Sequence, residues 1–389
     1  MSKFIPLSVP NLKGNELKYV TEAVETEWVS TGGPYVNEFE KKLADYVNVK
    51  GAVACQNGTS GIHTALMVAG VKTDDMVIVP TLTFIAAVNP VKYIGAEPIF
   101  MDCDDSLCID PNKLLKFCQE ECEFINNNLF YKKNNKQIKA IVVVHVFGNM
   151  ADMQQIMAIA KTFNIKVIED ATEAIGTYYV EGKYKGKYAG TIGDIGVYSF
   201  NGNKIITTGG GGMIVSNNEK YLYMAKHLTT QAKSDELNYL HDMIGYNYRM
   251  TNLQAALGLG QLEQLEDFID LKNRNYDQYE KLINKLHFSL LAFRNGVRSN
   301  KWFYALLCKD NVQRDELINY LKDINIQTRP IWGLIHQQIP YANSYSYKIE
   351  KADYYWQRVV NIPCSTNITE EEIEIVAKAI DNFSNFSKQ

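Results

Sequence analysis

An α/β fold, with a mostly parallel sheet covered by helices on both faces, is predicted by three observations. Short apolar runs alternate with longer stretches of helical periodicity through the first two-thirds of the chain. The runs are bounded by turn residues, as strands buried on both faces are. Polar or small residues follow the runs, at the carboxyl ends of strands, where such sheets collect ligands. The 389 residues are long enough for two or three domains, or one large domain with a smaller companion.

The elements follow in order. Tyr35 to Val47 places Val36, Phe39, Leu43 and Tyr46 on one helix face, and Gly51 to Cys55 reads as the first strand. A turn at Asn57-Gly58 leads into a helix from Thr59 to Ala69. Met76 to Val79 is a buried strand, Thr83 to Tyr93 a helix, Ile99 to Asp102 a strand and Asn112 to Phe124 a helix. Asn126 to Lys136, rich in Asn and Lys, is expected to be a solvated, mobile loop. Strands are expected at Ala140 to His145, Val167 to Asp170 and Ile195 to Phe200. After Gln261-Leu262 the pattern turns long and helical, from Leu265 to Leu286, then shorter and mixed. A boundary is placed there, giving a large domain over 1–262 and a small C-terminal domain over 263–389. The tail from Asn382 to Gln389 is polar and reads as peripheral.

Composition narrows the function classes. Lys+Arg 40 against Asp+Glu 44 gives a net charge of −4, with no positive excess to drive nucleic-acid backbone binding. Apolar runs such as Ile141 to Val144 fall well short of the roughly 20 residues that span a bilayer. The first residues lack the features of a secretion signal, so a cytoplasmic address is expected. Seven cysteines, an odd number, do not suggest a disulfide framework. Cys103, Cys108, Cys118 and Cys122 crowd together without a CxxC pair, so reduced structural thiols are expected and no metal site.

Four segments carry chemistry. In Ser199-Phe-Asn-Gly-Asn-Lys204 one lysine lies between a strand end and the run Gly209 to Gly212. The glycines follow the lysine, which excludes a Walker phosphate loop, and they are not placed for a nicotinamide fingerprint. Asp170 closes a buried strand and Glu173 follows; the carboxylate either caps a helix or faces a protonated ring nitrogen. Asn57-Gly-Thr-Ser60 either caps its helix or cradles a phosphate on N–H and hydroxyl donors. Phe84 is a core aromatic or the plate on which a planar cofactor stacks. Jointly these supply what pyridoxal 5'-phosphate (PLP) requires: an amine for a Schiff base, a carboxylate for the pyridinium, phosphate donors and an apolar face.

The ordered set of motifs resembles the DegT/DnrJ/EryC1/StrS family of PLP-dependent nucleotide-sugar aminotransferases. The resemblance runs from Ile5-Pro-Leu-Ser-Val-Pro10 through Trp28-Val-Ser-Thr-Gly-Gly-Pro-Tyr35 and Glu169-Asp-Ala-Thr-Glu173. It continues through Tyr198-Ser-Phe200 with Lys204, Gly245-Tyr-Asn-Tyr-Arg249 and Thr328-Arg-Pro-Ile-Trp332. It implies a fold-type-I architecture and a homodimer with shared active sites. Within that resemblance Lys204 is the catalytic residue, and Gly58, Thr59, Ser60 and Ser199 hold the phosphate. Asp170 keeps the ring nitrogen protonated, Glu173 orients the ring, Phe84 stacks on it, and Asn247 reaches the phosphate in the neighbouring subunit. Ser30, Thr31 and Gly32, with Arg329, Trp332 and His336, are substrate-side candidates; for Arg329 the rival is a structural ion pair. His145 is expected to be structural. The implied reaction takes an amino group from L-glutamate, leaving pyridoxamine phosphate (PMP), and passes it to a keto-sugar.

The wording Gly202-Asn-Lys204-Ile-Ile-Thr-Thr-Gly209 is similar to the branch that aminates C4 of UDP-linked 4-keto-6-deoxy-N-acetylhexosamines, which feeds bacillosamine and legionaminic acid synthesis. Gly210 replaces a Glu common in the family and points the same way; Thr172 replaces a commoner Ala. Amination of a GDP- or TDP-linked keto-sugar at C3 or C4 is the rival within the class. A non-catalytic nucleotide-sugar sensor is the rival outside it. Lys204 argues against the dehydrating members, which carry His there.

Overall fold

The structure is a computed structural model and describes residues 3–235, 237–283 and 288–386. Its centre is a twisted ten-stranded sheet. In chain order the strands are β1 (Gly51–Cys55), β2 (Met76–Pro80), β3 (Glu97–Met101), β4 (Cys122–Ile125), β5 (Asn128–Tyr131), β6 (Lys136–Val144) and β7 (Lys166–Asp170). After a two-residue strand, β8 (Tyr178–Tyr179), outside this sheet, come β9 (Ile195–Ser199) and β10 (Gly212–Ser216). The spatial order is β1-β10-β9-β7-β6-β2-β3, closed by Tyr345–Tyr347 beside β3. Pairings from β9 across to Tyr345–Tyr347 are parallel, whereas β10 runs antiparallel to both neighbours. The carboxyl ends of β1, β2, β6, β7 and β9 therefore share one edge, and β10 starts from that same edge. Every residue of β2, β9 and β10 is buried, and each buried Val or Ile contributes about 1.5–3 kcal/mol.

Six helices lie among these strands: α1 (Glu16–Glu25), α2 (Pro34–Val47), α3 (Gly58–Val68), α4 (Asn89–Tyr93), α5 (Pro111–Glu120) and α6 (Met153–Thr162). The amphipathic spacing expected of α2 is borne out, with Val36, Phe39 and Leu43 buried. Beyond residue 288 a second, antiparallel sheet forms from Ser289–Leu290, Tyr304–Leu307, Val359–Ile362 and Arg329–Pro330. The N-terminal segment reaches this part, Ile5 exchanging backbone hydrogen bonds with Asn325 and Gln327. No described helix is long and apolar enough to cross a membrane.

Four expectations need correction. The polar stretch Asn126 to Lys136 is ordered as hairpins joining β4, β5 and β6. Asn126 and Asn127 both take left-handed φ values, 50° and 61°. Asn tolerates that conformation, and a tight hairpin turn requires it at both central positions. The helix expected over Asn112 to Phe124 ends at Glu120, so Cys118 and Cys122 lie on different elements. All seven cysteines are buried and unpaired. The expected helix over Thr83 to Tyr93 is a 3-10 turn, Ile85–Ala87, followed by α4, because Pro90 cannot continue a preceding helix. The long helix spans Leu265–Leu282 and stops short of the expected Leu286, because Ile283 takes an extended backbone; residues 284–287 lie outside the described residues. The tail is helical as far as Phe386, and residues 387–389 lie outside the description.

Candidate active site

Pleating sends neighbouring side chains of β7 to opposite faces. Glu169 turns into the core, where it accepts the N–H groups of Gly190 (2.9 Å), Ile192 (2.6 Å) and Gly193. It also faces His145 Nε2 at 2.9 Å. The Ala151 N–H donates to His145 Nδ1 at 3.2 Å, so Nε2 carries the ring proton and donates it to Glu169. Both ring nitrogens are thereby used within the core.

Asp170 turns to the other face and lines a cavity of 350 Å³ at the shared strand edge. Gly58, Thr59, Phe84, Glu173, Ser199, Lys204 and Trp332 line it with Asp170. The approach of these walls is close. A Cβ on Gly58 would stand 2.9 Å from Thr172 Cγ2 and 3.0 Å from Ser199 Cβ, and one on Gly212 would stand 2.7 Å from the Asn57 backbone. Only glycine lets β10 start against the beginning of α3.

Lys204 follows β9 in a turn, its N–H donating to the Asn201 carbonyl at 3.0 Å. Its Nζ lies 3.7 Å from Glu173 Oε1 and 4.1 Å from the centre of the Trp302 ring. The side chains of Lys204 and Glu173 are 13% and 3% exposed. Burial pulls the Lys204 amine below its ordinary range against the carboxylates of Glu173 and Asp170. Burial pushes the Glu173 carboxyl up to about 7, with Lys204 opposing, and raises Asp170 as well, with Thr172 and Lys204 opposing. The Phe84 ring is 54% exposed and stands 6.4 Å from Trp332.

Several residues singled out in the sequence lie elsewhere. Ser60 does not line the cavity: its N–H donates to the Asn57 side chain at 2.8 Å and its hydroxyl closes the same cap. Ser30, Thr31 and Gly32 do not line it either; their loop is pinned to Asn252, whose N–H donates to the Ser30 carbonyl at 2.6 Å. His336 is held by Thr81, Nδ1 to Oγ1 2.6 Å. Arg329 is exposed and donates to the Thr328 carbonyl at 3.0 Å, and no ion pair to it forms among the described residues. Asn247 is exposed, beside Arg249. Conversely, Trp302, Thr83, Asn201 and Asn203 line the cavity without having been singled out. The two asparagines flank the lysine and could have been read from its turn; no local signal marks Trp302.

A parallel-centred sheet with helices on both faces, bearing a buried lysine and two buried carboxylates at its carboxyl edge, defines a fold-type-I PLP-dependent enzyme. The profile of the DegT/DnrJ/EryC1/StrS aminotransferase family matches residues 10–381, and the chain belongs to that family. It is a PLP-dependent aminotransferase. It is 40% identical to a GDP-perosamine synthase of Escherichia coli O157:H7 over 381 residues, covering 98% of this chain and 99% of the relative. It is 30% identical to a UDP-4-amino-4,6-dideoxy-N-acetyl-beta-L-altrosamine transaminase of Campylobacter jejuni, covering 96% and 95%. A solved DegT/DnrJ/EryC1/StrS aminotransferase of Brucella abortus superposes with a TM-score of 0.86 at 27% identity, over 95% of each chain.

Proposed function

We propose that this aminotransferase passes an amino group from L-glutamate to C4 of a GDP-linked 4-keto-deoxysugar, with PLP held in the cavity around Lys204. The observation that carries the reading is the buried Lys204 amine beside two buried carboxylates, in a cavity also lined by the first residues of α3. This residue set fits PLP. Among the described residues the Asp170 side chain accepts only the local donors of Thr172, and burial raises its proton affinity, which suits a carboxylate facing a ring N–H. The α3 N-terminus and Ser199 suit a phosphate, and the exposed Phe84 ring suits a planar partner.

PLP, when bound, supplies the electron sink that lets a proton leave the carbon bearing the amine. The chain's own residues do the rest. Lys204 anchors the cofactor through Nζ and, once released, carries the proton from one carbon to the other; its desolvation favours the neutral amine needed for that work. Asp170 keeps a proton at the ring nitrogen, and Glu173 orients the ring. Gly58, Thr59 and Ser199 donate to the phosphate, while Ser60 acts at one remove by capping α3. Trp332 stands on the substrate side, and the exposed Arg329, bound to the Thr328 carbonyl through one nitrogen, offers its remaining donors to a diphosphate or carboxylate. The reading includes a cytoplasmic homodimer in which Asn247 serves the neighbouring site. In it, residues 1–262 hold the cofactor and 263–389 close over it through Trp302 and Trp332.

The 40% identical relative supports a guanosine nucleotide. A UDP-linked N-acetylhexosamine is the second reading, favoured by the relative at 30% and by Gly210. Gly210 is a weak guide, since a Cβ there would meet only Gln254 Nε2, at 3.7 Å. The test loads the enzyme with PLP, bleaches its colour with glutamate, and offers GDP-, UDP- and TDP-linked 4-keto-6-deoxysugars separately. Fastest recovery with the GDP-sugar supports the reading, recovery with UDP alone selects the second, and no recovery refutes a keto-sugar acceptor.

A further inference from the structure

Phe147 presents a backbone N–H in a direction that an extended residue would not. It lies in the turn Val146–Gly148 after β6 with φ of 57°, and its N–H donates to Glu173 Oε2 at 2.7 Å. That bond leaves Oε1 facing Lys204 Nζ. On its other side the amine meets the Trp302 ring, whose indole N–H donates to the Asn203 carbonyl at 2.8 Å and so ties the ring to the lysine's own turn. Carboxylate and amine are thus each held by a separate anchor.

The titratable groups facing this pair come from three elements. Lys204 faces Glu173 and Asp170; Glu173 faces Lys204 and Asp170; Asp170 also senses His145, itself engaged with Glu169. A charged pair and a neutral pair at Glu173 and Lys204 have the same net charge. Burial penalises the charged pair and draws the two proton affinities together. A carboxamide at position 173 could orient a ring by hydrogen bonding alone, whereas a carboxylate can also take up a proton.

We propose that Glu173 is the proton partner of Lys204. The proton passes from Nζ to Oε1, an N–H bond breaking and an O–H bond forming with no electron transfer, and leaves a neutral amine. The 3.7 Å separation needs a small side-chain rotation, as unliganded catalytic pairs often do. Asp170 is not free for this role in the reading above, where it holds the ring nitrogen's proton, and the proposal rests on that reading.

Capture of PLP by the cofactor-free protein reads the neutral fraction of Lys204. The rate at which visible absorbance develops is measured against pH for wild type and Glu173→Gln. Glutamine keeps the length and still accepts from the Phe147 N–H, but it cannot take the proton. Infrared spectra of the cofactor-free protein at the same pH values read the carboxyl partner directly: a protonated-carboxyl C=O band present in wild type should be missing from Glu173→Gln. Spectra in which the variant loses no such band, over the range where wild type captures PLP, overturn the proposal. If circular dichroism shows the glutamine variant unfolded, Glu173→Asp decides: the band should persist at a shifted frequency, and an unmoved band overturns the proposal. A wild-type protein that develops no absorbance refutes Lys204 as the cofactor's anchor instead, and the proposal falls with it.

Discussion

Asp102 ties the C-terminal segment to the central sheet. It follows β3 directly and is fully buried. Oδ1 accepts the N–H groups of Cys103 (2.9 Å) and Ala352 (2.7 Å). Oδ2 accepts those of Glu350 and Lys351, both at 3.0 Å, and Lys113 Nζ at 2.6 Å. Three of these donors open the short helix Lys351–Trp356, whose first N–H groups have no partner within the helix. Asp102→Asn keeps the shape, but its NH₂ must face donors on one side or the other. Breaking a buried pair in this way costs about 3–5 kcal/mol. At about 2.1 cal/mol/K per residue the chain unfolds with an entropy of roughly 0.8 kcal/mol/K, so Tm should fall by about 4–6 °C. Burial works against the Asp102 charge, but Lys113 and the backbone N–H groups outweigh it and hold the carboxyl below its usual range. A depressed folded-state value stabilises above the unfolded value and ceases to as pH falls through the folded one. The gap between wild type and Asp102→Asn should therefore narrow in acid. Scanning calorimetry at neutral and acid pH measures both effects. Asp105→Asn is the control: its carboxylate is exposed, pairs with Lys351 Nζ at 2.7 Å, and should cost no more than about 1 kcal/mol. An unchanged Tm in Asp102→Asn at neutral pH, or a loss no larger than the control's, refutes the reasoning.

Three further outcomes bear on the cavity. Lys204→Ala should lose turnover and covalently trapped cofactor while circular dichroism stays unchanged, because Glu173, already raised to about 7, can take up a proton when its cation is gone. Retained activity would contradict the mechanism. Phe84→Ala should cost less than about 1 kcal/mol of stability, the ring being half exposed, yet release PLP faster on gel filtration. Equal retention would remove the stacking role. Gly58→Ala forces a Cβ against Thr172 and Ser199 and should weaken PLP binding about tenfold or more, as measured by spectrophotometric titration. Gly202→Ala, with nothing within 4 Å of its Cβ, should leave affinity unchanged.

Chain-local information carried much of the architecture. Runs such as Met76 to Pro80 and Ile195 to Ser199 are apolar because both faces of those strands are buried, and that burial writes itself into consecutive residues. The segments after the strands were legible for the same reason: a parallel sheet brings its carboxyl ends to one edge, so Gly58, Asp170 and the segment from Ser199 to Lys204 meet although far apart in the chain. Where several local solutions compete, reading along the chain went astray. Asn126-Asn127 could be solvated loop or hairpin turn, and only pairing with β6 selects the hairpin. Ser60 could cap or face a ligand, and Asn57 claims it. Trp302 was invisible: its place beside Lys204 depends on the Tyr304–Leu307 strand and on Lys272, buried and donating to the Trp302 carbonyl at 2.7 Å. Which oxygen of Glu173 faces the amine depends likewise on a left-handed residue after another strand. Periodicity records which side of an element is covered, because every turn or pleat repeats the same demand. Contacts between elements repeat nothing along the chain, so their chemistry emerges only when packing brings the surfaces together.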